Sequence, residues 1–228
     1  FEGRTEELKQ LESAFDYWQN NKVSSAVVVG EKGSGSSSLL NAFVRNRSSV
    51  FILRKQLIES ISTSKEFLEF FDELFPNTEL GSFEEIVEFL NKQSRQVIIL
   101  EDIQQFYLKK PNGFQAITLL FELISQTAKN IFWLVGTTTF TWSYLQKTIA
   151  IERYIKHKIV LKPLTDTQIV NLITKRHRVS GYNLRFQNQD LNKLEKRKLG
   201  KTEEERQKVM RKAFFEELDI LCKANNTM

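Results

Sequence analysis

The stretch Val23–Leu40, VSSAVVVGEKGSGSSSLL, decides how the chain is read. Its apolar run Ala26–Val29 is mostly valine, the composition of a strand buried on both faces. The run stops at Gly30, passes through a Gly/Ser-rich loop, and resumes at Leu39 with helical spacing. Strand, glycine loop and helix N-terminus in that order form an anion site. Successive backbone N–H groups turn toward one point at the positive end of the helix. The spacing matches G-x-x-x-x-G-K-[ST] at Gly30, Gly35, Ser36 and Ser37. The lysine position holds Ser36, so the phosphate frame lacks its cation.

The loop residues read as nucleotide-contacting are Gly30, Gly33, Ser34, Gly35, Ser36, Ser37 and Ser38. Ser37 stands where the motif places its Mg²⁺-binding hydroxyl, so the motif implies a nucleotide phosphate with Mg²⁺. Lys32 falls too early in the loop to take over the missing ammonium. A plain Gly/Ser turn is the alternative reading of the same residues.

Outward from the loop, short apolar runs alternate with amphipathic ones. Val50–Leu53, Val97–Leu100, Ile131–Val135 and Lys158–Leu161 read as further strands. Thr5–Asn21, Ser37–Asn46, Ser64–Phe75, Ser82–Lys92, Asn112–Ala128 and Trp142–Ile149 read as helices, with Thr5 and the Ser82/Glu85 capping box as start signals. The alternation predicts an α/β protein: a parallel five-stranded sheet with helices on both faces. After Pro163 the strands stop. Asp166–Val179 and Leu191–Ala224 read as helical, with an extended Leu184–Phe186 between them. The expected division is an α/β nucleotide-binding domain over residues 1–163 and a partial α-helical lid over 164–228.

Composition sets outer limits. At 228 residues and 41% hydrophobic content the chain can build one substantial core. It has no apolar run of the roughly 18 residues that a membrane span needs. The single Cys222 rules out an internal disulfide framework and suits a reducing, cytoplasmic compartment. Part of the net charge of +5 lies in Lys193–Lys212, where a solvated helical face explains it as well as a nucleic-acid surface does. A chain that opens on Phe1 reads as a piece of something longer.

A second acidic motif follows. Val97–Leu100 runs straight into Glu101 and Asp102. The buried strand would present one carboxylate to a metal and the other to the attacking water. Glu101 is assigned to the metal with Ser37, and Asp102 to the base; acids at an exposed strand end are the simpler alternative. Ile131–Thr139 ends in Gly-Thr-Thr-Thr, which places Thr138, with Thr137 beside it, near the phosphates if that strand adjoins the acidic one. Arg153 precedes the last strand. It reads either as a surface arginine or as one that reaches a neighbouring subunit's nucleotide. Arg176-His177-Arg178 ahead of Gly181 suits a helix C-terminus.

With these pieces in place, the chain resembles the AAA+ superfamily of P-loop ATPases. The likeness runs to its origin-recognition and STAND-like branches and to bacterial AAA-family ATP-binding proteins. It rests on FEGRTEEL (Phe1–Leu8), GEKGSGSSSLL (Gly30–Leu40), VIILED (Val97–Asp102), LVGTTT (Leu134–Thr139) and ERYIKHKIVLKPLTDTQI (Glu152–Ile169). The resemblance implies that Gly3 and Arg4 pack near the adenine and that Thr137 or Thr138 is the first sensor. It implies that Arg153 falls in the arginine-finger region and that a helical lid begins at about Thr165. It places a second sensor arginine beyond Lys223–Met228. The expected function is an ATP-binding switch module coupled to self-assembly or partner remodelling, weak or inactive because residue 36 is serine. The alternatives are a non-enzymatic scaffold that binds a protein partner, and a DNA-associated assembly ATPase for which no nucleic-acid motif speaks.

Overall fold

The computed structural model describes residues 3–45, 47, 50–76, 78, 80–182, 184–186 and 202–225. The chain divides into two compact units, Gly3–Lys162 and the part from Pro163 onward. The first holds five strands: β1 (Ser25–Val29), β2 (Ile52–Gln56), β3 (Gln96–Glu101), β4 (Ile131–Thr137) and β5 (His157–Val160). Six helices accompany them: α1 (Thr5–Gln19), α2 (Ser36–Arg45), α3 (Ser64–Leu74), α4 (Phe83–Lys92), α5 (Gln115–Thr127) and α6 (Thr139–Ile149). All strand pairs are parallel, in the order β2-β3-β4-β1-β5.

The two-residue period of a strand divides the sheet's side chains between two cores. Val27, Val29, Ile98, Leu100, Ile131, Trp133 and Val135 pack on one face with Phe67, Phe71 and Ile86 and with Leu120, Phe121 and Ile124. Ala26, Val28, Val97, Ile99, Phe132 and Leu134 pack on the other with Leu11, Phe15 and Trp18 of α1 and Leu39, Leu40 and Phe43 of α2. Each of β1, β3 and β4 is buried along its whole length, which is why each reads as an uninterrupted apolar run. Burial of this kind contributes about 25 cal/mol per Å² of apolar surface.

Several boundaries differ from the sequence reading, among them the helix expected at Asn112–Ala128, which spans Gln115–Thr127. The strand expected at Val50–Leu53 lies at Ile52–Gln56 and so includes Arg54, Lys55 and Gln56. Among the described residues it is an edge strand paired with β3 alone, so hydrophilic side chains are tolerated there. Thr5 is the first residue of α1 rather than its cap. Arg4 holds the cap position, without a side-chain cap bond. The helix expected at Trp142–Ile149 starts earlier, at Thr139, because the Thr138 hydroxyl accepts from the Thr141 N–H. The Ser82/Glu85 capping box is present, and a second, Thr63/Glu66, starts α3.

In the second unit, α7 (Asp166–Ser180) opens on a Thr165/Gln168 capping box and closes at Gly181. α8 (Glu203–Asn225) packs Met210 and Ala213 with Phe186, and Phe186 also contacts the Phe214 ring. Residues 187–201, most of them expected to be helical, lie outside the described residues. No helix among the described residues is long and apolar enough to cross a membrane.

Candidate functional site

β1, β3 and β4 deliver their carboxyl ends to one edge of the sheet, and the glycine loop leaves β1 there. Gly30 donates its N–H to Thr137 O at 3.1 Å, which fixes the start of the loop against β4. A Cβ at Gly30 would stand 2.4 Å from Ser34 Oγ and 2.9 Å from Leu161 Cβ, so no larger residue fits. Gly33 and Gly35 take φ of 84° and 91°, a left-handed curl that costs other residues about 1–2 kcal/mol. α2 begins at Ser36, and its first N–H groups have no acceptor within the helix. The loop therefore presents free donors at the positive end of α2.

Arg4 holds the loop from behind. It is 5% exposed, and it donates to Ser34 O at 2.9 Å, to Lys162 O at 2.6 Å and to Glu7 Oε1 at 2.9 Å. Arg4 thus ties the loop to the segment after β5. Arg4 Nε and Ser34 Oγ are buried without a hydrogen-bond partner. Ser34 Oγ packs against Gly30, on the loop's inner side. Lys32 is exposed.

Glu101 ends β3, on the face that α2 covers. It is 7% exposed, and Ser37 Oγ donates to its Oε2 at 2.7 Å. The contact crosses β4, and the residue of β4 on that face is Gly136. A Cβ there would meet Glu101 Cα at 3.6 Å and Cγ at 3.9 Å, so this glycine leaves room for the carboxylate. Glu101 Oε1 is taken by Arg54. The guanidinium donates through Nε at 2.7 Å, with its second terminal nitrogen also at 2.7 Å. Arg54 NH1 is held in turn by Asn41 Oδ1 of α2 at 2.5 Å. Asn41, Arg54, Glu101 and Ser37 form one continuous network.

A parallel network surrounds Asp102. Its Oδ2 accepts from Gln56 Nε2 at 2.9 Å and its Oδ1 from Gln104 Nε2 at 2.8 Å. Thr137 Oγ1 donates to Gln104 Oε1 at 3.4 Å. Asp102 has φ 62° and ψ 44°. Such a left-handed aspartate is uncommon, and strained backbone of this kind clusters at functional sites.

The structure thus brings Gly30, Gly33, Gly35, Ser36 and Ser37 to one rim with Glu101, Asp102 and Thr137. Ser38 lies one residue further into the first turn of α2. β4 does adjoin β3, as the reading of Thr138 required. The Thr138 hydroxyl, however, caps α6 and also donates to Thr141 Oγ1 at 3.0 Å, whereas Thr137 joins the Asp102 network. Arg153 is not part of this group. It is exposed, in a 3₁₀ turn (Ile151–Arg153) ahead of β5. Its neighbour Tyr154 accepts from Ser25 Oγ at the start of β1. That end of the strand is about 16 Å from the loop at roughly 3.3 Å per residue. Arg176, His177 and Arg178 occupy the last turns of α7.

Sequence reasoning missed Arg54, Asn41, Gln56 and Gln104. The one available signal was the polar run Arg54-Lys55-Gln56 directly after the apolar run Val50–Leu53. The residues fit Mg²⁺ only in part. Ser37 and Glu101 form the expected pair, but the carboxylate that should face the ion is already neutralised by a guanidinium.

The fold and the loop together define a P-loop nucleoside-triphosphatase architecture. Solved structures share this architecture at low sequence identity. Cdc6p from Pyrobaculum aerophilum superposes with a TM-score of 0.58 at 17% identity, over 77% of this chain and 49% of that one. The Aeropyrum pernix ORC1 protein, solved in complex with DNA, gives 0.57 at 16% identity over 78% and 50%. A Thermotoga maritima RuvB mutant gives 0.51 at 14% identity over 79% and 53%. The chain spans about half the length of these structures. No protein-family model matches it, and no curated protein matches it in sequence.

Proposed function

We propose that the chain is a nucleotide-binding switch module of the AAA+ type, in which ATP held at the loop governs self-assembly or engagement of a protein partner. The observation that carries this is the 2.7 Å bond from Ser37 to Glu101. It joins the loop to the acidic strand end, the geometry a phosphate site needs. Backbone N–H groups of Gly33, Gly35 and Ser36–Ser38 would take the phosphates. Arg4 fixes the loop, Asp102 and Thr137 would orient water, and Arg153, remote from its own loop, would serve a neighbouring subunit.

Hydrolysis is slow in this reading. The lysine that balances developing charge on the terminal phosphates is absent, and losing one such group costs roughly 3–4 kcal/mol, or 10²–10³ in rate. The ion pair between Arg54 and Glu101 supports a module that holds nucleotide more than it consumes it. The test is ATP titration and phosphate release for the native chain and for Ser36→Lys combined with Ser37→Thr. The native chain binds with little turnover, and the double variant gains about 100-fold in turnover. Absence of binding in both overturns the proposal. The DNA-associated alternative rests on the charge of +5 and on the fold shared with an ORC1 protein solved with DNA, and it requires duplex binding that falls steeply with salt.

A further inference from the structure

Three observations around Glu101 converge on a single residue. The loop has a serine at residue 36, where the motif puts its lysine. The carboxylate that should face the metal is bonded on both oxygens, to Ser37 and to Arg54. Arg54 is held on both sides of its guanidinium. Nε and one terminal nitrogen lie 2.7 Å from Glu101 Oε1, and the other terminal nitrogen is on Asn41 Oδ1. The residue comes from an edge strand and lies on the same sheet face as Glu101, with α2 above it.

We infer that Arg54 neutralises Glu101 in place of the divalent metal, so that this chain binds nucleotide phosphates without Mg²⁺. The inference rests on the proposed nucleotide reading and adds to it the identity of the neutralising charge. The physical reason is charge balance. A divalent ion at Ser37 would sit beside a guanidinium already paired with its carboxylate, so the same negative charge would have to satisfy both cations. With Arg54 in place the ion is redundant. Without it, Glu101 is a free carboxylate beside the Ser37 hydroxyl, the donor pair a hard divalent ion prefers. Arg54 therefore sets the metal dependence of binding, a property that a purely structural ion pair would leave untouched.

The experiment is a titration of the full chain with ATP and with ADP, once in EDTA and once in excess Mg²⁺, repeated for Arg54→Gln and Arg54→Lys. The native chain binds with affinities within about twofold in the two buffers. Arg54→Gln loses at least about tenfold in EDTA and recovers most of it in Mg²⁺, because binding is then metal-dependent. Arg54→Lys retains the charge and stays close to the native chain in EDTA. Native binding that EDTA abolishes overturns the inference while leaving the nucleotide reading intact, and this arm needs no variant to fold. Arg54→Gln binding equal to native in both buffers overturns it too. No binding of either nucleotide in either buffer, by the native chain and by Ser36→Lys, overturns the nucleotide reading and this inference with it.

Discussion

The glycine loop and the acidic strand end meet through one hydrogen bond, from Ser37 to Glu101, yet they are built by opposite means. The loop works through its backbone. Apart from the exposed Glu31 and Lys32 its side chains are small, its curl is set by Gly33 and Gly35, and the head of α2 adds the fixed partial charge of its N–H groups. The strand end works through side chains recruited from four elements: Asn41 of α2, Arg54 and Gln56 of β2, Gln104 after β3, and Thr137 at the end of β4. Serine at residue 36 therefore leaves the cradle's shape without a side-chain charge at its centre. The opposite side carries one from β2, on Arg54. Shape and charge are separable here, and each can be broken alone.

The largest effect is expected from the loop. Gly30→Ala forces a Cβ into Ser34 Oγ and Leu161 and displaces the whole turn. Nucleotide binding should disappear, and the urea midpoint should fall by an amount equal to roughly 1–3 kcal/mol. Unchanged binding would show that the loop's path is not set at Gly30.

Next comes the ion pair. Arg54 is 27% exposed and Glu101 almost wholly buried, so the strand end should respond less than a fully buried pair would. Glu101→Gln should cost about 1–2 kcal/mol by urea denaturation, since it leaves a half-buried guanidinium with a weaker acceptor. Combining it with Arg54→Gln should cost less than the sum of the single changes, with a coupling of about 1 kcal/mol. Strict additivity would show that the two side chains do not act as a unit.

A smaller change separates the adjacent threonines. Thr138→Val removes the cap of α6 and should cost about 1 kcal/mol of stability without moving ATP affinity. An affinity change would return Thr138 to the phosphate site.

The smallest effect lies away from the site. Glu66 accepts from the Ser62 and Thr63 N–H groups, and these bonds lower its pKa from 4.5 to about 2. A carboxylate depressed in the folded state adds stability above its unfolded pKa, and that stability is lost as pH falls through the folded one. The contribution of Glu66 should thus be present above about pH 4.5 and fade toward about pH 2. Glu66→Gln should flatten the acid limb of a urea-midpoint profile over that window, and an unchanged profile would contradict the capping account.

Much of the fold was legible because β1, β3 and β4 are buried on both faces, which leaves wholly apolar runs between helical spacings. The glycine loop and the acids after β3 were legible for the same reason: each directly follows such a run. β2 was placed too early because an edge strand needs no apolar outer half, so Arg54-Lys55-Gln56 reads as a loop. Arg54 was missed with it. Its partner lies 47 residues away, and no local pattern announces a pair made across strands. Thr138 was preferred over Thr137 because spacing alone does not tell which of adjacent hydroxyls a helix start will consume.

A phosphate cradle running from Gly30 to Ser37 requires that ATP bind at the loop. A calorimetric titration of the full native chain with ATP tests it most directly. A saturable one-site isotherm that ADP competes for and Gly30→Ala abolishes is the predicted result. A flat isotherm for the native chain and for the Ser36→Lys variant would contradict it.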